Sequence, residues 1–298
     1  AYGSGKPAYG VGAGNASMVI DETADITEAA RNTVISKTND HGSGCSADGN
    51  LIVDAGIYDA LLSELQRQGG YLVNAEEKDR LTRAYWDEDG RRTADTIARP
   101  AAAVAAKAGF ALPADKTFLL VEETQIGKQH PYSTEKLGVV LAVFKYHGFD
   151  DALSKVRQIF ETGGRGHSCG IYSFNDEHID RLASMAPVSR IMVRQVQSSS
   201  NAGTFTNGMP MTSSMGCGVW GGNITNENIS LKHYMNVTWV SRPIAEDKPS
   251  EAELFGEFYN APINVRLRED APAGPAHQRE DATAGQARVG EDAPARQA

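Results

Sequence analysis

Apolar residues recur at helical and strand-like spacings over the first sixty-five positions of the chain. Between residues 25 and 36 the apolar positions fall three, four, eight and nine residues after the first, at Ile26, Ala29, Ala30, Val34 and Ile35. This spacing predicts a helix with one buried face. Short apolar runs at residues 18–20 and 51–53 flank it and predict buried strands, and residues 57–65 predict a second amphipathic helix.

The same alternation continues through the middle of the chain. Further strands are predicted at residues 117–121, 139–144, 171–172 and 190–193, and further helices at residues 150–160 and 178–185. Strands that alternate with helices of about 10–15 residues are typical of an open α/β sheet. The fold class predicted is therefore α/β.

The pattern changes towards the carboxyl terminus. Residues 198–228 are rich in Gly, Ser, Thr and Asn and predict a long functional or interfacial loop, and residues 236–240 predict a last strand. Three blocks, beginning at Arg268, Arg279 and Gly290, repeat every 11 residues with little apolar bulk. Such a segment buries too little surface to offset the entropy of ordering, so residues 263–298 are predicted to be disordered.

Composition narrows the classes of function. The net charge of −9 argues against binding along a nucleic-acid backbone, and there is no apolar run long enough to span a membrane and no secretory leader. Three cysteines at irregular spacing predict neither a disulfide framework nor a metal site, so a cytoplasmic protein is expected. The chain opens on Ala1 in a glycine-rich stretch, which is the start expected of a fragment.

Cys45 is the first candidate for chemistry. It follows Gly42 and Gly44, so the backbone beside the thiol can approach a ligand closely at a bend after a helix. A nucleophilic thiol needs this access together with backbone N–H groups to hold an oxyanion. Taken alone, a single cysteine beside two glycines is more often a small buried apolar residue than a nucleophile.

Five blocks of sequence together resemble the CoA-acylating aldehyde dehydrogenases. They are residues 5–26, the nucleophile segment 36–45, the cofactor-contacting segment 131–137, and the glycine-rich motifs 164–168 and 216–223. The blocks occur in family order. Residues 201–210, 243–247 and 251–257 further resemble the subgroup that acts on sulfoacetaldehyde.

The resemblance implies a three-layer catalytic domain whose Rossmann-like cofactor domain is largely missing. Its implied boundaries are residues 1–14 for the end of the cofactor domain, 15–205 for the thiol domain, 206–262 for an interdomain loop and oligomerisation strand, and 263–298 for the tail. It implies a homo-oligomer that converts an aldehyde, CoA and NAD or NADP to an acyl-CoA. Hydrolytic relatives carry a water-activating glutamate near the place of Val11, and no Asp or Glu precedes Asp21 here. A thioester on Cys45 should therefore resist hydrolysis until CoA accepts the acyl group.

The family roles fall on five residues, none of them a metal ligand. Cys45 is the implied nucleophile and His167 is expected near the CoA thiol, although a lone histidine is often structural. Glu135 is implied to bind the nicotinamide ribose, the alternative being a solvated carboxylate paired with Lys136. Leu137 would flank the nicotinamide, and Arg194 is a candidate for holding a sulfonate or else a surface arginine.

Three functions remain open from the sequence. Sulfoacetaldehyde is the substrate that the resemblance favours, and an acylating acetaldehyde dehydrogenase is the alternative enzyme. An inactive, truncated paralogue that survives as a folded oligomerising module is the alternative outside catalysis.

Overall fold

The computed structural model describes residues 1–260, and they divide into two compact units. The first unit, Ala1–Val237, contains a seven-stranded sheet in the order β3-β4-β5-β2-β1-β6-β7. Every neighbouring pair of strands is parallel. The predicted open α/β sheet is confirmed.

The strands are β1 Ser17–Ile20, β2 Asn50–Asp54, β3 Gly70–Leu72, β4 Phe118–Glu123, β5 Val140–Tyr146, β6 Gly166–Tyr172 and β7 Val188–Val193. The α-helices are α1 Ile26–Thr38, α2 Tyr58–Arg67, α3 Ala75–Tyr85, α4 Ala101–Lys107, α5 Phe149–Thr162, α6 Asp176–Met185, α7 Gln197–Ser200 and α8 Glu251–Phe255. Short 3-10 turns lie at Tyr2–Ser4, Asn39–Gly42, Ala94–Thr96, Pro131–Ser133, Val219–Gly221, Leu231–Tyr234 and Gly256–Phe258. Across residues 1–260, none of the helices has the length and apolarity that a membrane crossing requires.

The strand order determines where the helices lie. The chain moves one way across the sheet from β1 to β3 and the other way from β3 to β7. Because parallel crossovers are right-handed, α1 and α2 cover one face and α3 to α6 cover the other. The sheet is thus the middle of three layers, and β1 and β6 are buried along their whole length.

Local sequence explains where α1 and α3 begin. The Asp25 side chain accepts a hydrogen bond from the Glu28 backbone N–H at 2.9 Å, which caps the first turn of α1. Asn74 and Glu77 form a reciprocal capping box at the start of α3. Helix α3 is mostly polar and buries few side chains, and for this reason the apolar pattern did not predict it.

Other differences from the sequence-based expectation concern single elements, and they include α4 and α7, which the apolar pattern did not predict. The strand predicted at residues 236–240 is not formed within one copy of the chain: these residues pair with no strand among residues 1–260, and the side chains of Val237 and Trp239 are largely exposed. A strand needs a hydrogen-bonded neighbour, and a single copy of the chain supplies none here. Strand β6 begins at Gly166, five residues before the predicted start, because His167 and Ser168 also pair in the sheet. The pattern did not predict β3, which has only three residues.

The second unit begins at Thr238, and its described part contains α8 and the 3-10 turn Gly256–Phe258. Ser250 and Glu253 form a capping box at the start of α8, within the acidic stretch of the sequence. The 11-residue repeats and the predicted tail at residues 263–298 lie outside the described residues. The implied boundaries after residues 14 and 205 lie inside the first unit and stay predictions.

Candidate active site

The candidate residues gather at the amino-terminal edge of the parallel sheet. Cys45 lies in the loop before β2, Glu135 and Leu137 lie just before β5, and His167 is the second residue of β6. Strands β5, β2, β1 and β6 are adjacent, so these loops meet. Open α/β sheets more often bind ligands at the opposite, carboxyl edge.

The thiol of Cys45 contacts the imidazole of His167. The Cys45 Sγ lies 3.0 Å from His167 Nε2, although the two residues are 122 positions apart. The other ring nitrogen, Nδ1, lies 2.9 Å from the Ser168 hydroxyl oxygen. Cys45 is half-buried and His167 is buried, so the thiol is the more accessible partner. A thiol within hydrogen-bond reach of a base is the arrangement of an activated nucleophile.

Burial holds both groups in their neutral forms. It is the main reason that the pKa of the Cys45 thiol is raised, and the negative charge of Glu135 raises it further. Burial, assisted by the positive charge of Arg190, lowers the pKa of His167 to about 4. At neutral pH the imidazole is therefore uncharged and able to accept a proton.

Two glycines allow the backbone around Cys45 to pack closely. A Cβ atom at Gly14 would lie 1.8 Å from the Cys45 carbonyl oxygen, which no side chain tolerates. Gly42 has a φ of 68°, and a Cβ there would lie 2.6 Å from the Gly138 carbonyl oxygen. Gly44, which was predicted to serve ligand approach, has open space at its Cβ position.

Glu135 is tied to both sides of the site. Its Oε1 accepts a hydrogen bond from the Gly14 backbone N–H at 2.8 Å, and its Oε2 lies 3.3 Å from the guanidinium of Arg92. Lys136 is buried and donates instead to the backbone oxygens of Tyr132 and Thr134. Glu135 is thus paired with Arg92 rather than with its sequence neighbour.

Leu137 closes the site on the side of β5. Its φ of 49° places it in the left-handed region, which is uncommon for a residue with a side chain. It lines a narrow cavity together with Cys45, Glu135, Lys37 and Lys136. Backbone strain of this kind is frequent at functional positions.

The two lysines of this cavity are buried and weakly basic. Lys37 donates to the Asp48 carbonyl oxygen at 2.8 Å, and burial lowers its pKa to about 7. Burial likewise holds the pKa of Lys136 well below its usual range. His41, which like Lys37 lies near Cys45 in sequence, is exposed.

An open cavity of about 520 Å³ adjoins Glu135. Its lining includes Gly14, Arg91, Arg92, Thr134 and Gly164. A neighbouring cavity of about 770 Å³ shares Trp86, Gly90 and Thr134 with it. Together they form a groove, lined by both charged and apolar groups, that leads away from Glu135.

Arg194 is not brought to this site. It follows β7, at the carboxyl edge of the sheet, where its guanidinium donates to the Ser173 carbonyl oxygen at 2.6 Å and stacks on Phe174. Six residues separate His167 from Ser173 along β6, about 20 Å at the usual rise of a strand. An arginine at that edge does not reach an aldehyde bound at Cys45.

Sequence reasoning missed Arg190, which the structure places beside His167. Its guanidinium is buried and donates to the His167 carbonyl oxygen at 3.2 Å and to the Gly216 carbonyl oxygen at 2.8 Å. The signal in the sequence is a charged residue inside a short apolar strand. Cys169 and Cys217, predicted to be structural, are free and buried.

Comparisons with known proteins agree with the fold. A sequence profile of the aldehyde dehydrogenase family matches residues 4–80. The chain is 43% identical over 262 residues to a sulfoacetaldehyde dehydrogenase of Acholeplasma sp, a match that covers 87% of this chain and 54% of that protein. It is 38% identical over 263 residues to an acylating sulfoacetaldehyde dehydrogenase of Bilophila wadsworthia, covering 87% of this chain and 57% of that protein.

Solved structures give the same result. The crystal structure of an acetylating aldehyde dehydrogenase from Geobacillus thermoglucosidasius superposes with a TM-score of 0.77 at 34% identity, covering 82% of this chain and 54% of that one. The chain spans about half the length of the relatives it matches. Sequence, fold and the order of the motifs agree, and the chain belongs to the aldehyde dehydrogenase family.

Proposed function

We propose that this chain is the thiol-bearing part of an acylating aldehyde dehydrogenase. The reaction joins an aldehyde to CoA as a thioester and reduces NAD or NADP. The observation that carries the proposal is the 3.0 Å contact between Cys45 Sγ and His167 Nε2. Such a contact lets a neutral imidazole take the thiol proton as the sulfur attacks a carbonyl carbon.

The first steps follow from this contact. The proton of the Cys45 thiol passes to His167 Nε2, a bond forms between Sγ and the aldehyde carbon, and the carbonyl oxygen becomes an oxyanion. Loss of hydride from that carbon leaves an acyl group on Cys45 as a thioester. The positive charge of Arg190 acts to lower the pKa of the Cys45 thiol.

The residues around Glu135 suit a nicotinamide dinucleotide. A carboxylate accepts hydrogen bonds from ribose hydroxyls, and the oxygens of Glu135 keep lone pairs free beyond the contacts with Gly14 and Arg92. The adjoining cavity of about 520 Å³ has room for a ribose and its phosphate. When bound, the nicotinamide accepts the hydride. Glu135 and Leu137 would hold it against Cys45.

CoA is proposed as the acyl acceptor because no carboxylate in the described part of the site is free to activate a water molecule. Glu135 is the carboxylate whose charge acts most on the Cys45 thiol, and both of its oxygens are held, by Gly14 and by Arg92. Val11, near the place of the glutamate in hydrolytic relatives, has no acidic group. Once His167 has released the first proton to solvent, it can take the proton of the CoA thiol, whose sulfur then attacks the acyl carbon and expels Cys45 as the thiolate.

We propose sulfoacetaldehyde as the aldehyde, on the strength of the relatives named for it. Arg194 supplies no support for this choice, given its place at the other edge of the sheet. A reducing cytoplasm fits a nucleophile that must stay a free thiol. We further propose that the complete protein assembles as a homo-oligomer.

The test uses the protein completed at its amino terminus, since the whole reaction needs a cofactor domain. Sulfoacetaldehyde and NAD or NADP without CoA should give one stoichiometric burst of reduced cofactor, and CoA should restore turnover. Cys45→Ser should abolish both phases. Steady turnover without CoA would refute the acylating mechanism, and neither burst nor turnover with any aldehyde would favour the inactive paralogue.

A further inference from the structure

Arg190 carries a buried positive charge that no carboxylate of residues 1–260 neutralises. Arg190 lies on β7 and is only 5% exposed to solvent. Within residues 1–260, no Asp or Glu lies at ion-pair distance from its guanidinium. A buried charge without a partner is strongly unfavourable. A buried charge of this kind is expected to have a function or to be balanced by a bound or transient anion.

The hydrogen bonds of Arg190 all run to neutral oxygens. Its NH2 group donates to the carbonyl oxygens of His167 and Gly216, at 3.2 Å and 2.8 Å. Its NH1 group donates to the Asn226 carbonyl oxygen at 3.2 Å and to Asn228 Oδ1 at 3.3 Å. The Nε has no partner among the described atoms. These bonds fix the guanidinium in place without cancelling its charge.

The contacts of Arg190 also join the two sides of the site. His167 touches the Cys45 thiol, and Gly216 precedes Cys217, whose sulfur would lie 2.8 Å from a Cβ atom at Gly12. One guanidinium therefore holds the histidine strand to the glycine-rich loop beside the nucleophile. The two hydrogen bonds of the guanidinium fix the positions of His167 and Gly216 relative to each other.

We propose that Arg190 is a positioning residue whose uncompensated charge stabilises the Cys45 thiolate and whose hydrogen bonds keep His167 against it. The inference rests on the proposed function, because it assigns Arg190 a part in activating that nucleophile. The anion that the guanidinium lacks in the resting protein is the thiolate that forms when Cys45 loses its proton.

The charges around the thiol have opposite effects. Those that bear on the pKa of Cys45 are Glu135 and Cys217, which raise it, and Arg190, which lowers it. His167 contacts the sulfur and is neutral, because burial lowers its pKa to about 4. Lys37 and Lys136 line the same cavity. Arg190 is thus a cation that opposes, in part, the effects of burial and of the Glu135 charge on the thiol.

The experiment measures the rate of iodoacetamide alkylation of Cys45 between pH 6 and pH 10, by peptide mass spectrometry on the full 298-residue chain. Arg190→Gln removes the charge and should slow alkylation at pH 7 about twofold, with the midpoint of the pH profile displaced upward. Arg190→Lys keeps the charge and should restore most of the rate. Arg194→Gln is the matched control, just beyond the end of the same strand, and should leave the profile unchanged.

The buried thiols of Cys169 and Cys217 report on folding in the same digest, because they become reactive if the protein unfolds. If Arg190→Gln unfolds, the neutral Arg190→Met takes its place beside Arg190→Lys: an upward displacement in Met alone supports the proposal, and a wild-type midpoint in Met overturns it. Equal profiles for all variants, or equal displacements for Gln and Lys, would also overturn it. This assay needs neither aldehyde nor CoA, so its failure is distinct from failure of the CoA-dependent burst.

Discussion

The imidazole of His167 lies 3.0 Å from the Cys45 thiol and is itself closed off from solvent. Because burial lowers the pKa of His167 to about 4, the folded chain leaves this imidazole uncharged over a pH range in which the unfolded chain protonates it. The same burial that keeps the imidazole free of a proton at neutral pH therefore makes the folded state sensitive to acid.

We predict that His167 contributes to acid instability. The unfolded chain binds the proton from about pH 6.5 downward and the folded chain from about pH 4, so the free energy of unfolding falls as the pH falls through this window. Between pH 7 and pH 5 the loss should be about 2 kcal/mol. His167→Gln should remove this loss in urea unfolding experiments, and His147→Gln, at an exposed position, should not. Equal pH dependence in all three proteins would contradict the prediction.

A second prediction concerns the charge of Glu135. Its carboxylate raises the pKa of the Cys45 thiol, so Glu135→Gln should lower that pKa and speed alkylation of Cys45 at pH 7 several-fold. In the completed enzyme the same variant should weaken binding of the nicotinamide cofactor. The two effects have opposite signs, and a variant that merely disturbed the fold would not produce both. Glu76→Gln, on the exposed surface of α3, is the control.

A third prediction concerns assembly. Trp239 is 91% exposed and lies in a stretch that the sequence pattern favours as a strand but that has no strand partner in a single copy. If a neighbouring copy supplies that partner, the completed protein should be at least a dimer. Trp239→Arg should then raise the dissociation constant at least tenfold in analytical ultracentrifugation, and Lys248→Ala should leave it unchanged. A monomeric completed protein would contradict this.

Most of the sheet could be predicted from the chain because its strands are buried on both faces. Strands β1, β2, β4 and β5 read as continuous apolar runs, which periodicity detects. Strand β3 is too short to give such a signal, and α3 is held by a capping box and by few buried side chains. These two elements depend on tertiary packing more than on pattern.

The residues of the site could be predicted from the sequence, but their arrangement in space could not. Motif resemblance marked Cys45, Glu135 and His167, but their meeting depends on the strand order of the sheet. The position of Arg194 shows which signal in the sequence was overlooked. Each of the three marked residues precedes its strand or begins it, whereas Arg194 follows one. In a parallel sheet that difference alone assigns Arg194 to the opposite edge.

The last prediction concerns the close packing behind the nucleophile. Gly14→Ala would put a Cβ atom 1.8 Å from the Cys45 carbonyl oxygen and 3.0 Å from Glu135 Oε1, so the loop that carries Cys45 must move. We expect a loss of about 2–4 kcal/mol in the free energy of unfolding, as for other severe overpacking. The thiol should also lose its contact with His167, and alkylation should change accordingly.

Gly44→Ala is the matched control, since it adds the same methyl group one residue before Cys45, where nothing lies within 4 Å. Its φ is not in the left-handed region, so the substitution should change the free energy of unfolding by less than about 1 kcal/mol. Thermal melting and Cys45 alkylation of both variants provide the comparison. If Gly14→Ala behaved like Gly44→Ala, the Cys45 carbonyl oxygen would not lie against Gly14, and the position assigned to the nucleophile would be wrong. A large loss confined to Gly14→Ala would instead mean that the backbone of residue 14 holds the thiol loop in place.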